Sequence, residues 1–123
     1  MLLPLFTSRI KAGFPSPADG LVEESLDIDN YLIDNPISTF LVRVSGDSMS
    51  GDGIISGDIL VVDKSKKNSN NKIIVAILNG EFTIKRLVGK KLIASNKNFP
   101  EIEVKFEDDF EIWGEVIGLI RKF

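Results

Sequence analysis

From residue 38 onward, apolar and polar positions come in short runs that are rich in β-branched and aromatic residues. Short runs of this kind, separated by turn-forming residues, are typical of β-strands. The clearest turn is Asn79-Gly80, a dipeptide that strongly favours a tight hairpin between antiparallel strands. The pattern predicts about seven strands, over residues 39–44, 59–62, 73–78, 81–88, 91–95, 101–104 and 110–120.

Strands this short, joined by turns and almost without helix, predict a mostly β fold. We expect a compact, strongly twisted antiparallel sheet or a partly closed barrel. Residues 1–25 lack any sustained period and contain Pro4, Pro15 and Pro17, which favour extended backbone. The chain is therefore predicted to comprise an extended N-terminal arm over residues 1–25 and a folded domain over residues 26–123.

A short helix is predicted where the arm meets the folded domain. Ile28, Tyr31 and Leu32 share one helical face, and Asp27 precedes them in the position of an N-cap. Because proline does not continue a helix, Pro36 sets the latest point at which this helix ends.

The composition is that of a globular chain without a basic face or a membrane-spanning run. The 123 residues suit one domain, with 43% hydrophobic and 27% charged residues. The formal net charge is −3, whereas broad binding to DNA or RNA needs a basic surface. No apolar run approaches the ~20 residues that span a bilayer. Arg9 and Lys11 follow the first apolar stretch, which is the reverse of a secretory signal. We expect no direct nucleic-acid binding and no membrane association.

Cysteine and histidine are both absent from the chain, and this excludes several kinds of catalytic and metal site. A Ser-His-Asp triad, a cysteine nucleophile, a disulfide and a histidine or thiolate metal site are all excluded. A nucleophile in this chain has to take its base from lysine, aspartate, glutamate or a terminal amine. We expect no metal and no cofactor, and the lack of cysteine fits a cytoplasmic location.

Ser48 is the first candidate for chemistry. It stands in Ser45-Gly46-Asp47-Ser48-Met49, a bend that begins as soon as the first predicted strand ends. Such a bend can hold a hydroxyl clear of the sheet while neighbouring backbone N–H groups converge on one point, as an oxyanion hole requires. An ordinary turn uses glycine and aspartate in the same way, and on this segment alone the turn is the better interpretation.

Two further segments could supply a base and a substrate. Lys85 lies in a predicted strand, and burial among its apolar neighbours would favour its uncharged form. Taken by itself, however, a strand lysine is more often exposed and paired with an acid such as Glu81. In the arm, Ala12 and Gly13 are small residues before a proline-containing segment. Small residues followed by prolines suit a peptide substrate that binds in an extended conformation. The alternative interpretation is a flexible terminus without such a role.

Together these segments resemble the UmuD and LexA family of self-cleaving Ser-Lys peptidases over nearly the whole chain. Four motifs carry the resemblance, in this order: Ala12-Gly13-Phe14-Pro15-Ser16-Pro17-Ala18, Val44-Ser45-Gly46-Asp47-Ser48-Met49, Gly57-Asp58-Ile59-Leu60-Val61-Val62-Asp63 and Gly80-Glu81-Phe82-Thr83-Ile84-Lys85-Arg86-Leu87. Four ordered matches in one short chain are far more specific than any one of them. Each segment alone favours an ordinary turn at Ser48 and an exposed side chain at Lys85. The four motifs together favour Ser48 and Lys85 as site residues instead.

The resemblance implies a site and a reaction. Ser48 is then the nucleophile, Lys85 is the general base, and the bond between Ala12 and Gly13 is the site of self-cleavage. The backbone N–H groups of Asp47 and Ser48 would stabilise the oxyanion. The folded domain would be a Ser-Lys peptidase domain, with the arm folding over its catalytic cleft.

The resemblance also implies a role and partners. Repressors of this family carry a helix-turn-helix domain before the cleavage site, and we expect the twelve residues before Gly13 to be too few for one. The polymerase-accessory branch, which has such a short arm, implies a homodimer of the SOS response to DNA damage. A RecA filament on single-stranded DNA would stimulate cleavage, and the trimmed form would join a UmuC-like Y-family polymerase subunit in translesion synthesis. Two alternatives stay open: a phage or plasmid LexA-like regulator without a DNA-binding domain, and a non-enzymatic β interaction module.

Overall fold

The computed structural model describes residues 1–8, 21–66 and 69–123 of the chain. These residues form two compact units, Met1–Asp34 and Asn35–Phe123. The boundary that the sequence predicts between an arm and a peptidase domain stays a prediction. Within the described residues, no helix is long and apolar enough to cross a membrane.

The first unit begins with a two-stranded antiparallel ribbon. β1, Leu2–Ser8, pairs with β2, Leu21–Asp27, along its whole length. The sequence does not predict these strands, because ribbon pairing uses main-chain groups and needs no alternation of apolar residues. Pro4 lies inside β1, a position that a strand with a free edge tolerates.

A short helix follows the ribbon directly, as the sequence predicts. α1, Ile28–Leu32, is capped by the Asp27 carboxylate, which accepts the backbone N–H groups of Asp29 and Asn30 at 3.2 and 3.4 Å. These bonds satisfy N–H groups that have no partner within a helix. The helix closes at Ile33, whose N–H donates to the Asp29 carbonyl at 2.9 Å.

In the second unit, the described residues form one antiparallel sheet of seven strands, which confirms the predicted mostly β fold. The strands are β3 (Thr39–Arg43), β4 (Ile59–Asp63), β5 (Ile73–Leu78), β6 (Glu81–Val88), β7 (Lys91–Ile93), β8 (Ile102–Glu103) and β9 (Phe110–Ile120). Their order across the sheet is β3, β4, β9, β5, β6, β7 and β8. Because β3 and β8 are separate edges among the described residues, the sheet does not close into a barrel there.

The long strand β9 joins the two halves of the sheet. Its first half pairs with β5 and its second half with β4, and a β-bulge interrupts each ladder. Bulges bend a strand and increase its twist, which fits a sheet whose halves are offset along β9. Gly114 of β9 packs closely on β4, and a Cβ added there would lie 2.6 Å from Val62 Cγ1.

Two clusters of buried apolar side chains pack against the sheet. The larger contains Val44, Met49, Ile54, Leu60, Val62 and Val75, and the smaller contains Ile74, Ala76, Leu87 and Leu92. Neighbouring residues of β5 join different clusters, as the two-residue period of a strand requires. Val44, Met49 and Ile54 come from the segment after β3. Each such buried side chain contributes roughly 1.5–3 kcal/mol, so together they anchor that segment to the sheet.

Candidate active site

Ser48 lies in the segment between β3 and β4, between two buried side chains. Val44 and Met49 retain only 7% and 2% of their surface exposed. Gly46 has a φ of 96°, a left-handed conformation that glycine adopts without strain. The 3₁₀ turn Ser50–Asp52 follows at once. The chain therefore bends tightly around Ser48 and holds it half-buried.

Lys85 lies in β6 and is only 8% exposed. Its Nζ contacts Thr83 Oγ1 at 2.8 Å, the Ile84 carbonyl at 3.1 Å and Ser48 Oγ at 3.1 Å. The structure thus brings Ser48 and Lys85 into hydrogen-bonding distance although 37 positions separate them in sequence. An exposed strand lysine paired with an acid does not fit this burial.

The surroundings of Lys85 disfavour its charged form. Burial lowers the pKa of Lys85 below the ordinary lysine value, because neutral oxygens replace only part of the hydration that an ammonium has in water. Among the described residues, no carboxylate hydrogen-bonds to Nζ, and a carboxylate there would raise the pKa again. A lysine in this environment can act as a base closer to neutral pH than a solvated one.

The contacts of Lys85 suit both protonation states of the amine. An ammonium can donate to all of the contacting oxygens, whereas an uncharged amine keeps a lone pair. When its hydrogens point to Thr83 and Ile84, that lone pair faces Ser48 Oγ. The Ser48 hydroxyl also lies 3.3 Å from the Ile84 carbonyl, which can accept its hydrogen while Lys85 is charged.

The backbone around Ser48 offers hydrogen-bond donors beside its hydroxyl. Within the part of the chain that the structure describes, neither the Asp47 N–H nor the Ser48 N–H donates a hydrogen bond. Unused N–H groups beside a nucleophile are what an oxyanion hole needs. The carbonyls of the same two residues are engaged, because Asn96 Nδ2 donates to Asp47 at 3.1 Å and the Ser95 N–H donates to Ser48 at 2.9 Å.

Ser48 and Lys85 line a cavity of about 380 Å³. Residues of β3, of the bend after it and of β6 form most of its wall, and many of them are apolar. Phe82 and Phe99 also line it, although 61% and 41% of their surface is exposed. A largely apolar cavity with a few convergent polar groups is the usual form of a ligand or substrate site.

Among the described residues, the side chains of Thr83 and Asn96 also contact the predicted site residues, and neither was predicted to belong to the site. Thr83 shares a strand face with Lys85, so the two-residue period of β6 could have indicated it. Asn96 follows β7 and reaches the bend through tertiary packing, and no local pattern marks it. Ala12 and Gly13, the predicted cleavage site, lie outside the described residues.

Metal-ligating side chains do not gather in the described parts of the chain. No group of three or more aspartates or glutamates is placed there to hold a metal ion. Asp58 and Asp63, which belong to one of the motifs, are buried and have protein partners instead. Arg121 binds Asp58 through two hydrogen bonds of 2.6 and 2.7 Å, while Ser38 and Ser65 donate to Asp63.

Comparison with known proteins places this arrangement in a family. A family model described as Peptidase S24-like matches residues 4–117. Protein SamA from Salmonella typhimurium is 45% identical over 119 residues, which cover 97% of this chain and 85% of SamA. Protein MucA from Escherichia coli is 42% identical over 118 residues, covering 93% of this chain and 81% of MucA. A LexA repressor from Verminephrobacter eiseniae is 38% identical over 124 residues, covering 98% of this chain and 54% of the repressor.

The antiparallel β domain and these matches together define a serine peptidase of the LexA and UmuD kind. The chain belongs to the Peptidase S24-like family. The resemblance that its four motifs indicate is thereby confirmed.

Proposed function

We propose that this chain cleaves itself between Ala12 and Gly13, with Ser48 as the nucleophile and Lys85 as the general base. The observation that carries the proposal is the 3.1 Å contact between Lys85 Nζ and Ser48 Oγ, made by a lysine that is only 8% exposed. The chain has no histidine and no cysteine. Lys85 is therefore a base within reach of this hydroxyl, and its burial lowers its pKa and so favours the uncharged form.

Acylation begins when uncharged Lys85 accepts the proton of the Ser48 hydroxyl as Oγ attacks the Ala12 carbonyl carbon. The N–H groups of Asp47 and Ser48 stabilise the negative charge that develops on the carbonyl oxygen. As the C–N bond breaks, Lys85 passes the proton to the departing Gly13 amine. An ester between Ser48 and Ala12 remains, and Lys85 is uncharged again.

Deacylation repeats these steps with water as the nucleophile. Water attacks the ester carbonyl and gives a proton to Lys85, which transfers it to Ser48 Oγ as the ester bond breaks. The products are residues 1–12, which end in a new carboxylate, and residues 13–123, which begin with a new amine. Alanine and glycine are the smallest residues, so the proposed scissile bond would make little steric demand on a cleft.

The proposed biological role is that of the UmuD branch. The chain acts as a homodimer in the cytoplasm, and a RecA filament on single-stranded DNA stimulates its cleavage in the SOS response. The trimmed form becomes the accessory subunit of a UmuC-like Y-family translesion polymerase. Support comes from the four motifs and from the similarity to SamA and MucA over nearly the whole chain. The filament need add no catalytic group, since favouring the state with the arm in the cleft is sufficient.

Intact-mass measurement after incubation at alkaline pH tests the proposed reaction. The wild-type chain is expected to lose residues 1–12, because alkali increases the uncharged fraction of Lys85. Ser48→Ala and Lys85→Ala are expected to keep the full mass while retaining the circular dichroism spectrum of the wild type. Cleavage by either variant at the wild-type rate would refute the dyad.

Two further observations separate the alternatives. A wild-type mass that is unchanged both in alkali and with a RecA filament would instead indicate a non-enzymatic interaction module. Binding of the trimmed protein to a Y-family polymerase subunit would support the accessory role, and its absence would favour a LexA-like regulator.

A further inference from the structure

The bend that carries Ser48 is held by the segment that follows β7. The Ser95 N–H donates to the Ser48 carbonyl at 2.9 Å, and Asn96 Nδ2 donates to the Asp47 carbonyl at 3.1 Å. The carbonyls before and after the Ser48 Cα are therefore both fixed from one segment. Ser95 acts through its backbone here, whereas Asn96 acts through a side chain that substitution can remove.

The same segment is docked independently of the Asn96 side chain. The Gly51 N–H donates to the Ser95 carbonyl at 3.1 Å, and the Asp52 N–H donates to Ser95 Oγ at 3.0 Å. A Cβ at position 51 would clash with that carbonyl, so glycine allows this close approach. Because these contacts remain when the Asn96 side chain is removed, we expect variants at position 96 to fold.

The amide of Asn96 is oriented by its own contacts. Its Oδ1 accepts the Asn98 N–H at 3.0 Å, which leaves Nδ2 to face the bend. Nδ2 donates to the Asp47 carbonyl at 3.1 Å and lies 3.3 Å from Ser50 Oγ. Since an asparagine amide has distinct donor and acceptor ends, the backbone N–H at Oδ1 fixes which end meets Asp47.

The Asp47 carbonyl and the Ser48 N–H belong to one planar peptide unit. In a trans peptide these two groups point in opposite directions, so a hydrogen bond that holds the carbonyl also fixes the direction of the N–H. Rotation of this unit would turn the Ser48 N–H away from the point at which an oxyanion forms. An N–H group stabilises an oxyanion best when it already points to the position of that oxygen before the reaction begins.

We propose that Asn96 is a positioning residue of the oxyanion site, which holds the Asp47–Ser48 peptide unit so that the Ser48 N–H faces the developing oxyanion. The inference rests on the proposed self-cleavage, in which this N–H is a donor. The hydrogen bonds of Asn96 go to Asp47, Ser50 and Asn98 and not to Lys85. Asn96 therefore affects the rate of the chemical step and leaves the protonation of the base unchanged.

The test compares first-order cleavage rates across a range of pH in the full chain. Asn96→Ala removes the donor, and Asn96→Asp keeps the side-chain shape and the acceptor for the Asn98 N–H. Both are expected to lower the alkaline plateau rate about ten-fold, less than the ~100-fold or greater loss when an oxyanion donor itself is removed. In Asn96→Ala the pH midpoint of cleavage is expected to equal that of the wild type.

The matched control is Asn98→Ala. This change removes an exposed side chain of the same type two positions away, while the backbone N–H that donates to Asn96 remains. Its cleavage rate is expected to equal that of the wild type. An equal loss of rate in Asn98→Ala and Asn96→Ala would assign the effect to general disturbance of the segment and overturn the inference.

A spectroscopic measurement separates positioning from a loss of stability. In Ser48→Ala protein, which is expected not to cleave, adding Asn96→Ala should shift the carbonyl ¹³C resonance of Asp47 and the amide resonance of residue 48. Unshifted resonances, a wild-type plateau rate in the Asn96 variants, or a change in the pH midpoint alone would each overturn the inference. A wild-type chain that does not cleave itself would refute the proposed self-cleavage. A wild-type chain that cleaves itself, together with Asn96 variants that cleave at the same rate, would refute only the role of Asn96.

Discussion

Thr83 makes the shortest hydrogen bond to Lys85 Nζ, at 2.8 Å, and replacing it with valine tests how the pocket controls the proton of the lysine. Valine exchanges the hydroxyl for a methyl group and keeps the β-branched shape that strands favour. The contacts of Nζ with Ser48 Oγ and the Ile84 carbonyl remain available. The change therefore removes one acceptor from the lysine and leaves the proposed dyad in place.

The size and direction of the effect follow from the strength of this hydrogen bond. A bond to a charged group contributes roughly 1.5–3 kcal/mol, and a bond between neutral groups contributes about 0.5–1.5 kcal/mol. Thr83 therefore stabilises charged Lys85 over uncharged Lys85 by about 1 kcal/mol. Its loss lowers the pKa of Lys85 further, and the uncharged fraction at a given pH below the midpoint rises about five-fold.

The assay measures cleavage rate against pH by intact mass. The wild-type rate should rise with pH towards a plateau, because the uncharged fraction of Lys85 increases. Thr83→Val should reach half of its own plateau at a lower pH than the wild type, whatever the height of that plateau. Thr83→Ser keeps the hydroxyl and should retain the wild-type midpoint. A midpoint of Thr83→Val that is unchanged or moved to higher pH would refute the reasoning.

Two predictions concern stability. Gly114→Ala would place a Cβ 2.6 Å from Val62 Cγ1. Overpacking of this kind should lower the free energy of unfolding, measured in urea, by about 1–3 kcal/mol. A variant as stable as the wild type would contradict that packing. Burial tends to raise the pKa of Asp63, but hydrogen bonds from Ser65, Ser38 and Asn35 outweigh it and lower the pKa to about 2. Because the ordinary pKa is 3.8, this stabilisation is complete above about pH 4 and is lost as pH falls towards 2. Asp63→Asn should flatten the loss of stability over that interval, and an equally steep loss in both proteins would contradict the assignment.

The seven strands of the sheet could be predicted because local signals mark them. Turns such as Asn79-Gly80 separate the runs, and β-branched residues fill them. The pairing of β1 with β2 carries no such signal. Leu2, Leu3 and Phe6 of β1 are exposed. Because no face of this strand is buried, its sequence does not need the alternation of apolar and polar residues by which a strand is predicted.

The site was only partly predictable, because its geometry depends on tertiary packing. A strand lysine taken by itself is more often exposed, and the burial of Lys85 depends on the bend that carries Ser48. The family motifs supplied that pairing where spacing could not. Asn96 had no motif to mark it, because its hydrogen bond to Asp47 joins segments 49 positions apart.

The protonation state of Lys85 is the central claim of this account, and NMR titration of its Nζ measures it most directly. The measurement uses ¹⁵N-lysine-labelled Ser48→Ala protein, which is expected to remain uncleaved, and Lys85→Arg assigns the resonance. Because burial lowers the pKa of Lys85, we predict that it titrates below the ordinary lysine value of about 10.4. Titration at or above that value would mean that the amine stays charged beside the serine, and would contradict its role as the base.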